Sequence, residues 1–334
     1  MPRVSVIVLN YNGAGVIDAC LRTLRAQSYG DFEIVVVDNA SSDGSLAIVR
    51  AIYPEAKVMA LNENLGFCRA NNLAIEATES EYVALLNNDT EVEPGWLQAL
   101  VDALDSDPAA GFCASRMIRI DDRKSLDSAG DIFYSHGVAA KRGEGRPAVE
   151  YATTDYVFGA CAGAALYRRS LFDAVGTFDA NFESMDEDVD LSFRAQLGSF
   201  KCRYVPTAIV YHHVGAAFNR VPAARVRLAR RNIVTILMKN MPGPLLRRHG
   251  LLIFAYLLAG DLKWALKGYA KPVLGARAEN VRSIGRVLRQ RRQIQRTRRI
   301  SMGQLDGLMT RSSPLRLLSA KPGRQQSARF AHMS

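Results

Sequence analysis

Amide and carboxylate side chains follow three apolar segments near the start of the chain. The residues at these three endings are Asn10, Tyr11, Asn12, Asp38, Asn39, Asn87, Asn88 and Asp89. A single ending of this kind could be a simple turn, because Asn and Asp are good turn formers. In an open α/β sheet, however, ligands bind beyond the carboxyl ends of the strands. Three such endings together therefore predict a binding site.

Two kinds of ligand fit these residues. A dinucleotide would use Gly13, Gly15 and, further along the chain, the carboxylate of Asp38. The third glycine of that fingerprint is replaced by Asp18, whose charge would oppose a pyrophosphate at a helix N-terminus. A nucleoside-diphosphate sugar would instead bring its base to Asp38 and share a divalent cation with Asp89, because Mg²⁺ prefers one or two carboxylates together with phosphate oxygens. The second ligand fits better, and it implies Mg²⁺ or Mn²⁺ as cofactor.

A second acidic cluster, residues 186–190, contains four carboxylates within five positions. One or two acids at a helix start would stabilise the helix through its dipole, each by about 0.3–1 kcal/mol. A denser cluster repels itself, so we expect at least one of these acids to face a substrate. Small residues around Gly159 and Gly163 predict either a tight turn near the sugar or acceptor, or close helix–strand packing.

Alternating strands and helices connect these residues. The predicted strands are 4–9, 33–37, 58–61, 82–86 and 201–211, and the predicted helices are 16–27, 45–52, 67–77 and 186–198, with a further helix opened by Pro94. Such alternation is typical of βαβ units and a mainly parallel sheet. The polar, glycine-rich stretch 119–150 is interpreted as a loop or a small edge hairpin.

The composition narrows the class of protein. The 334 residues are 48% hydrophobic and 23% charged, as in globular proteins, so a disordered or fibrous chain is excluded. The five cysteines form no C-x-x-C pair, which argues against a zinc site or a disulfide framework and suits a reducing cytosol. The chain begins with a strand-like segment, so we expect no secretory signal.

Positive charge is concentrated in the last third of the chain. From Arg220 onward there are 25 Lys and Arg residues and 3 acidic ones, although the net charge of the whole chain is only +10. This pattern predicts a tail that binds an anionic surface. Trp264 and Tyr269 are typical of interfacial anchors, whereas the apolar run 251–259 is shorter than the roughly 20 residues needed to span a bilayer. Nucleic acid is a weaker partner, since residues 277–300 contain no aromatic side chain for stacking on bases.

Several segments resemble, in the expected order, the motifs of family 2 glycosyltransferases. They are Val4–Asn12, Val35–Ser45 and Asn62–Phe67 for the opening of that family, Leu85–Thr90 for its D-x-D region, Met185–Leu191 for its acidic catalytic motif, and Tyr211–Gly215 for its metal-histidine segment. The resemblance covers roughly residues 3–240. The most similar subgroup is that of the bacterial rhamnosyltransferase-like enzymes of surface polysaccharide assembly.

The resemblance implies a fold and an organisation. It implies a GT-A fold over residues 1–220, with a mixed, mainly parallel sheet flanked by helices. The composition of the C-terminal residues, rather than the resemblance, predicts a basic amphipathic helical region, 221–311, that associates with the membrane, and a disordered tail, 312–334. The enzyme would be cytoplasmic and peripheral on the inner face of the bacterial cell membrane.

The resemblance also assigns roles to residues. It implies Asp188 as the general base, with Glu187 as the alternative. Asp89 and His212 would hold the metal, with His213 as the alternative. Donor contacts are implied for Asn10, Tyr11, Asn12, Asp38, Asn39, Asn64, Gly66, Phe67, Asn71, Asn87 and Asn88, and acceptor contacts for Gly159, Gly163 and Glu187. A strict D-x-D would have Asp at position 87, so Asn87 leaves Asp89 as the only carboxylate there.

The implied activity is an inverting, metal-dependent sugar transfer. The donor would be a dTDP- or UDP-linked sugar, with L-rhamnose from dTDP-rhamnose as the sugar of the subgroup. The acceptor would be a glycan on a polyprenyl-diphosphate carrier. Two alternatives stay open at this point: a nicotinamide-dependent oxidoreductase built on Gly13, Gly15 and Asp38, and a non-catalytic membrane scaffold of the same fold.

Overall fold

The computed structural model of the chain describes residues 1–213 and 222–311. The strands are β1 Val4–Asn10, β2 Phe32–Asp38, β3 Lys57–Ala60, β4 Tyr82–Asn87, β5 Thr90–Val92, β6 Ala110–Arg119, β7 Leu126–Ser128, β8 Asp131–Phe133, β9 Ala139–Lys141, β10 Asp155–Val157, β11 Ala164–Arg168 and β12 Lys201–His212. The helices are α1 Ile17–Arg25, α2 Ser45–Ile52, α3 Gly66–Ala77, α4 Trp96–Asp105, α5 Arg169–Val175, α6 Glu187–Leu197, α7 Ala223–Asn240, α8 Gly243–Trp264, α9 Ala270–Arg296 and α10 Met302–Leu308. The predicted tail 312–334 and the predicted boundary at residues 220 and 221 lie outside the described residues.

One large mixed sheet organises the chain. Its strand order is β10-β12-β6-β11-β4-β1-β2-β3, with β5 on β12 and β7 on β6. The strands β4, β1, β2 and β3 are parallel, β11 is antiparallel to both of its neighbours, and β6 and β12 are parallel to each other. The prediction of a mixed, mainly parallel sheet flanked by helices is therefore confirmed.

The central strands are continuous apolar runs because helices cover both faces of the sheet. Successive side chains of a strand point to opposite faces. Val6 and Val8 of β1 accordingly join the hydrophobic cluster that includes α1 and α4, whereas Ile7 joins the cluster on the other face. The predicted boundaries of β1, β2 and β4 differ from the observed ones by a residue or two.

The basic region forms three long helices, α7 to α9, followed by the short α10. Buried residues of α7 and α8, among them Ile236, Leu237 and Ile253, belong to the same hydrophobic cluster as the sheet domain. Between α8 and α9 the backbone turns at Gly268, whose φ of +88° is in the left-handed region that favours glycine. The basic region therefore shares its core with the sheet domain.

The apolar run 251–259 belongs to a helix longer than the run itself. The 22 residues of α8 correspond to about 33 Å of helix. Among the described residues, the helical stretch Gly243–Arg296 contains an 18-residue window with a mean hydropathy of 1.2, which is long and apolar enough to cross a membrane by length and composition alone. Only 6% of that window is buried in the protein.

Candidate active site

The ends of β1, β2 and β4 are joined through one buried amide. Parallel pairing places Asn10 beside Asp38, and the Asn10 Nδ2 donates to Asp38 Oδ1 at 2.9 Å and to Ser45 Oγ at 2.8 Å. The Asn10 Oδ1 accepts from Asn88 Nδ2 at 2.8 Å. Asn10 and Asp38 are 0% and 2% exposed. Their side chains therefore fix the shape of this strand-end cradle from beneath.

Gly13 keeps space for these amides. A Cβ at this position would overlap both Asn10 Oδ1 and Asn88 Nδ2, so a side chain here would displace these two amides from their hydrogen bond. This steric role explains the first glycine of the dinucleotide-like pattern without any pyrophosphate. Asp18 forms an ion pair with Arg22 and accepts a hydrogen bond from Tyr53, and these contacts lower its pKa.

A second set of amides orders the loop that precedes α3. The buried Asn39 donates to Asn64 Oδ1 at 2.8 Å and accepts from the Leu65 backbone N–H at 2.8 Å. Gly66 takes a φ of +74°, and its N–H donates to Asn64 Oδ1. Tyr11, Asn12 and Asn64 are exposed at the rim of the cradle, Asn87, Asn88, Gly66 and Phe67 are half-buried, and Asn71 is buried with its amide bonded to the Phe67 carbonyl.

His212 reaches the end of β4 through strand pairing. Because β12 pairs antiparallel with β5, His212 lies opposite Thr90, next to Asp89. The His212 Nε2 is 3.4 Å from Asp89 Oδ1. His213, by contrast, lies with Nε2 3.9 Å from Glu91. The backbone N–H of His213 donates to the Asp89 carbonyl at 3.0 Å, but of the two candidate histidines only His212 has its ring beside the Asp89 carboxylate.

The other side of His212 faces a buried ion pair. Its Nδ1 is 2.9 Å from Asp127 Oδ2, and Lys141 Nζ donates to both Asp127 oxygens at 2.7 and 2.8 Å. Burial by itself would lower the pKa of His212, but the carboxylates of Asp127 and Asp89 outweigh it and raise this pKa to about 9. Burial likewise opposes ionisation of Asp127, yet Lys141 and His212 hold its pKa far below the usual range.

A metal would take the place of the proton on His212 Nε2, and with that proton released the donor set suits a divalent cation with an open coordination sphere. A carboxylate and an imidazole are ligands for Mn²⁺ and, through the oxygen, for Mg²⁺. A carboxylate on the second imidazole nitrogen is the usual partner of a metal-binding histidine, and Asp127 has that position. No group of three or more His, Cys, Asp or Glu side chains in residues 1–213 and 222–311 is arranged to hold a metal. Diphosphate oxygens and water would therefore supply the other ligands.

Asp188 is connected to the same strand ends through the loop 160–163. The Ala162 N–H lies 3.4 Å from Asp188 Oδ2. The next residue, Gly163, packs against Asn87, and its carbonyl accepts from the Asn87 N–H at 2.9 Å. Burial raises the pKa of the Cys161 thiol, and both Lys141 and Asp188 act on that pKa. The loop thus lies between Asp188 and the cluster around His212.

The remaining predicted acceptor residues have different surroundings. Glu187, the first residue of α6, is 8% exposed, and its charge acts on the pKa of Cys68 in α3. A Cβ at Gly159 would lie 2.5 Å from the Ser192 hydroxyl of α6. Gly159 therefore allows close helix–strand packing, the second of the two interpretations of this segment.

Two residues of this cluster were missed by sequence reasoning. Asp127 and Lys141 lie in the stretch 119–150, which was interpreted as a loop or a small edge hairpin. The hairpin exists as β8 and β9, but the stretch also contributes a buried ion pair to the site. The one available signal was indirect: a metal-binding histidine commonly needs a carboxylate partner, and sequence spacing does not say which one.

The sheet and its strand-end site define a GT-A fold, and solved structures agree. The chain is similar to the S. aureus TarS 1–349 structure in complex with UDP-GlcNAc (TM-score 0.58, 19% identity, 86% of this chain and 83% of that one). It is also similar to the mannosyltransferase PcManGT of Pyrobaculum calidifontis in complex with GDP-Man and Mn²⁺ (TM-score 0.53, 21% identity, 89% and 84%).

The model of glycosyl transferase family 2 matches residues 5–176, and the chain belongs to that family. It is 27% identical over 247 residues to the N-acetylglucosaminyl-diphospho-decaprenol L-rhamnosyltransferase of Mycobacterium tuberculosis, covering 66% of this chain and 79% of the relative. The predicted family resemblance is confirmed. The protein is a glycosyltransferase, which sets aside the nicotinamide-dependent and non-catalytic alternatives.

Proposed function

We propose that this glycosyltransferase moves L-rhamnose from dTDP-rhamnose to a lipid-linked glycan, with inversion and with a divalent cation. The observation that carries the proposal is the meeting of Asp89 and His212. Strand pairing brings these two distant residues to 3.4 Å at the carboxyl ends of the parallel strands, where open α/β sheets bind their ligands. The rhamnosyl donor and the lipid carrier are supported by the name of the mycobacterial relative.

Asp89 Oδ1 and His212 Nε2 would hold the cation. A divalent cation there would act as a Lewis acid and stabilise the charge that develops on the leaving diphosphate. Asp127 fixes the orientation of the imidazole, and Lys141 balances the charge of that carboxylate. The protein thus keeps a two-ligand site in one orientation before the donor binds.

Asp188 would act on the acceptor. Its carboxylate takes the proton of the acceptor hydroxyl while the hydroxyl oxygen bonds to the anomeric carbon and the bond from that carbon to the diphosphate oxygen breaks. A base on the face opposite the leaving group gives direct displacement and therefore inversion. The loop 160–163 links Asp188 to Asn87, which supports a common cleft for both groups.

The outer face of α8 would contact the membrane. The side chains of Leu251, Phe254, Leu258 and Leu262 are between 56% and 85% exposed. Their spacing of three or four residues places them on one side of the helix. Lys263, Lys267 and Lys271 follow nearby in the sequence, and basic residues near an anionic surface contribute about 1 kcal/mol each. Peripheral attachment on the inner face would bring the site to a lipid-linked acceptor.

The base role is tested with Asp188→Asn, which keeps the shape and removes the proton acceptor. We expect sugar transfer to fall by roughly a hundredfold or more, with dTDP-rhamnose binding unchanged in a thermal-shift titration containing Mn²⁺. Asp173→Asn, at an exposed acid of α5, is the control and should transfer normally. Normal transfer by Asp188→Asn would remove this residue from the base role. Stabilisation by another nucleotide sugar, and none by dTDP-rhamnose, would overturn the proposed donor.

A further inference from the structure

The turn that precedes the catalytic pair has an unusual backbone. Glu183, Met185 and Asp186 have φ values of +64°, +69° and +63°, in the left-handed region that residues with a side chain rarely adopt. Asp186 immediately precedes α6, where a helix usually begins from extended backbone. Neighbouring groups must therefore hold this turn in place.

Those neighbours come from α7, in the C-terminal basic region. The Asn232 Nδ2 lies 2.7 Å from the Met185 carbonyl, 3.1 Å from that of Ser184 and 3.3 Å from that of Phe182. Asn232 is 1% exposed. One buried amide thus donates to the carbonyls on the inner side of the turn.

Arg231 fixes which way that amide faces. Its Nε donates to Asn232 Oδ1 at 2.9 Å, so the oxygen is occupied and the NH₂ group is directed at the turn. Its Nη2 donates to the carbonyls of Asn181 and Phe182 at 2.9 and 3.0 Å, and its Nη1 to Glu183 Oε1 at 2.6 Å. Two consecutive residues of α7 therefore bind residues 181–185.

We infer that Asn232, oriented by Arg231, is a positioning residue that holds the left-handed turn 183–186 and thereby sets where Glu187 and Asp188 face the cleft. The inference rests on the proposed function of Asp188. It gives the C-terminal region a part in catalysis that is separate from membrane attachment. The basic region is then required for turnover even with a soluble acceptor.

The test compares Asn232→Ala with Asn280→Ala. Asn280 of α9 is also a buried amide, and it donates to the Arg231 carbonyl and to Thr235 Oγ1, so its loss weakens the helix packing without touching the turn. For Asn232→Ala we expect kcat to fall by about tenfold to a hundredfold, since small misplacements of a catalytic group have effects of this size. The donor KM should change by less than about twofold, and Asn280→Ala should keep kcat at a comparable loss of Tm.

Amide hydrogen exchange in the full-length protein gives a second readout that needs no turnover. Peptides covering 181–190 should exchange faster in Asn232→Ala than in Asn280→Ala. Asn232→Asp replaces the donor with an oxygen of similar size, and it should lower kcat at least as much as Ala. If Asn232→Ala kept the kcat of Asn280→Ala, or if the exchange of 181–190 did not change, the inference would be overturned. An inactive wild-type protein would contradict the proposed function instead, and the exchange result would still decide the role of Asn232.

Discussion

At the scale of single residues, the site is a line of alternating charges. Lys141, Asp127, His212 and Asp89 follow one another at distances of 2.7 to 3.4 Å. Each inner group is held by partners of opposite charge on both sides. Such a chain fixes the imidazole through Nδ1 and directs Nε2 towards Asp89. Asp127 and Lys141 therefore shape the site although neither is proposed to touch the donor.

Replacing Asp127 by Asn should weaken metal binding. The amide keeps the shape but loses the charge that orients His212, and substitutions of such partners reduce metal affinity by about 10- to 100-fold. Calorimetric titration of Mn²⁺ into the protein with dTDP measures the change. Asp121→Asn, at an exposed acid of the same segment, should bind Mn²⁺ like the wild type. Equal affinities of the two variants would contradict the role of Asp127.

The same ion pair makes a prediction about folding. Asp127→Asn leaves the Lys141 ammonium buried opposite an amide, and breaking a buried pair in this way costs about 3–5 kcal/mol. In the double variant Asp127→Asn with Lys141→Met, the unpaired charge is gone, so part of the free energy of unfolding should return. Urea unfolding of both variants measures this. A double variant less stable than the single one would show that Lys141 contributes something other than charge balance.

At the scale of elements, α6 and α7 are joined by a buried polar network. Lys239 Nζ donates to Asp179 Oδ2 at 2.7 Å and to Asp190 Oδ2 at 2.9 Å, and Asn240 Nδ2 donates to Asp190 Oδ1 at 2.8 Å. Burial by itself would raise the pKa of Asp190, but Lys239 and Arg194 outweigh it, so that this pKa is lowered. The pKa of Asp179 is lowered by Lys239 in the same way. The helix that presents Asp188 is thus tied to the basic region.

Lys239→Met should give a pH-dependent loss of stability. In the wild type, the pKa values of Asp179 and Asp190 are lower in the folded protein than the value of 3.8 for an unperturbed Asp. The two carboxylates therefore stabilise the fold at pH values above 3.8, and this contribution is lost as the pH falls through their pKa values in the folded protein. In the variant two buried carboxylates lose a partner, burial raises their pKa, and the loss at pH 7 should be about 3–5 kcal/mol. The difference in the free energy of unfolding between the wild type and the variant should shrink on acidification from about pH 7 to pH 5. Urea unfolding at several pH values measures this difference.

The control for this prediction is Lys201→Met. Lys201 is exposed at the start of β12, and its replacement should change the free energy of unfolding little at any pH. If the loss of unfolding free energy in Lys239→Met stayed constant between neutral and acidic pH, the ionisation of Asp179 and Asp190 would not depend on the Lys239 ammonium.

The sequence predicts the strands and helices of this fold better than it predicts the residues that support the site. The strands β1, β2 and β4 are mainly apolar runs, so their positions followed from local pattern, as did α2 and α6. The strands β6 and β11 were not predicted, because their small and polar residues become strand only through pairing with each other and with β4. Asp89 and His212 were identified by motif. The partners of the site, Asp127 and Asn232, come from remote segments, and no local pattern identifies them.

At the scale of the whole molecule, exposed apolar side chains and an excess of basic residues occur together in the C-terminal helices. The exposed apolar side chains continue from α8 onto α9 with Leu274 and Val281. We expect Leu258→Glu with Leu262→Glu to weaken binding to phosphatidylglycerol-containing vesicles by at least about tenfold, because each of these exposed leucines would contribute about 1.5–3 kcal/mol when it enters the bilayer. Cosedimentation with the vesicles measures this binding, and sugar transfer to a soluble acceptor should not change.

Val149→Glu is the matched control for the membrane surface. Val149 is 78% exposed and lies in the segment between β9 and β10, so a charge there should leave vesicle binding unaltered. Equal vesicle binding by the double variant and by Val149→Glu would place the membrane contact elsewhere on the molecule.

The central claim is that Asp89 and His212 together hold the divalent cation on which sugar transfer depends. The most direct measurement is the binding of Mn²⁺ in the presence of dTDP, followed by electron paramagnetic resonance, for the wild type, His212→Ala and His213→Ala. We predict that His212→Ala loses at least about tenfold in affinity, because even the loss of a ligand's hydrogen-bonded partner has an effect of that size, whereas His213→Ala binds like the wild type. Wild-type affinity in His212→Ala, or the same loss in both variants, would contradict this account.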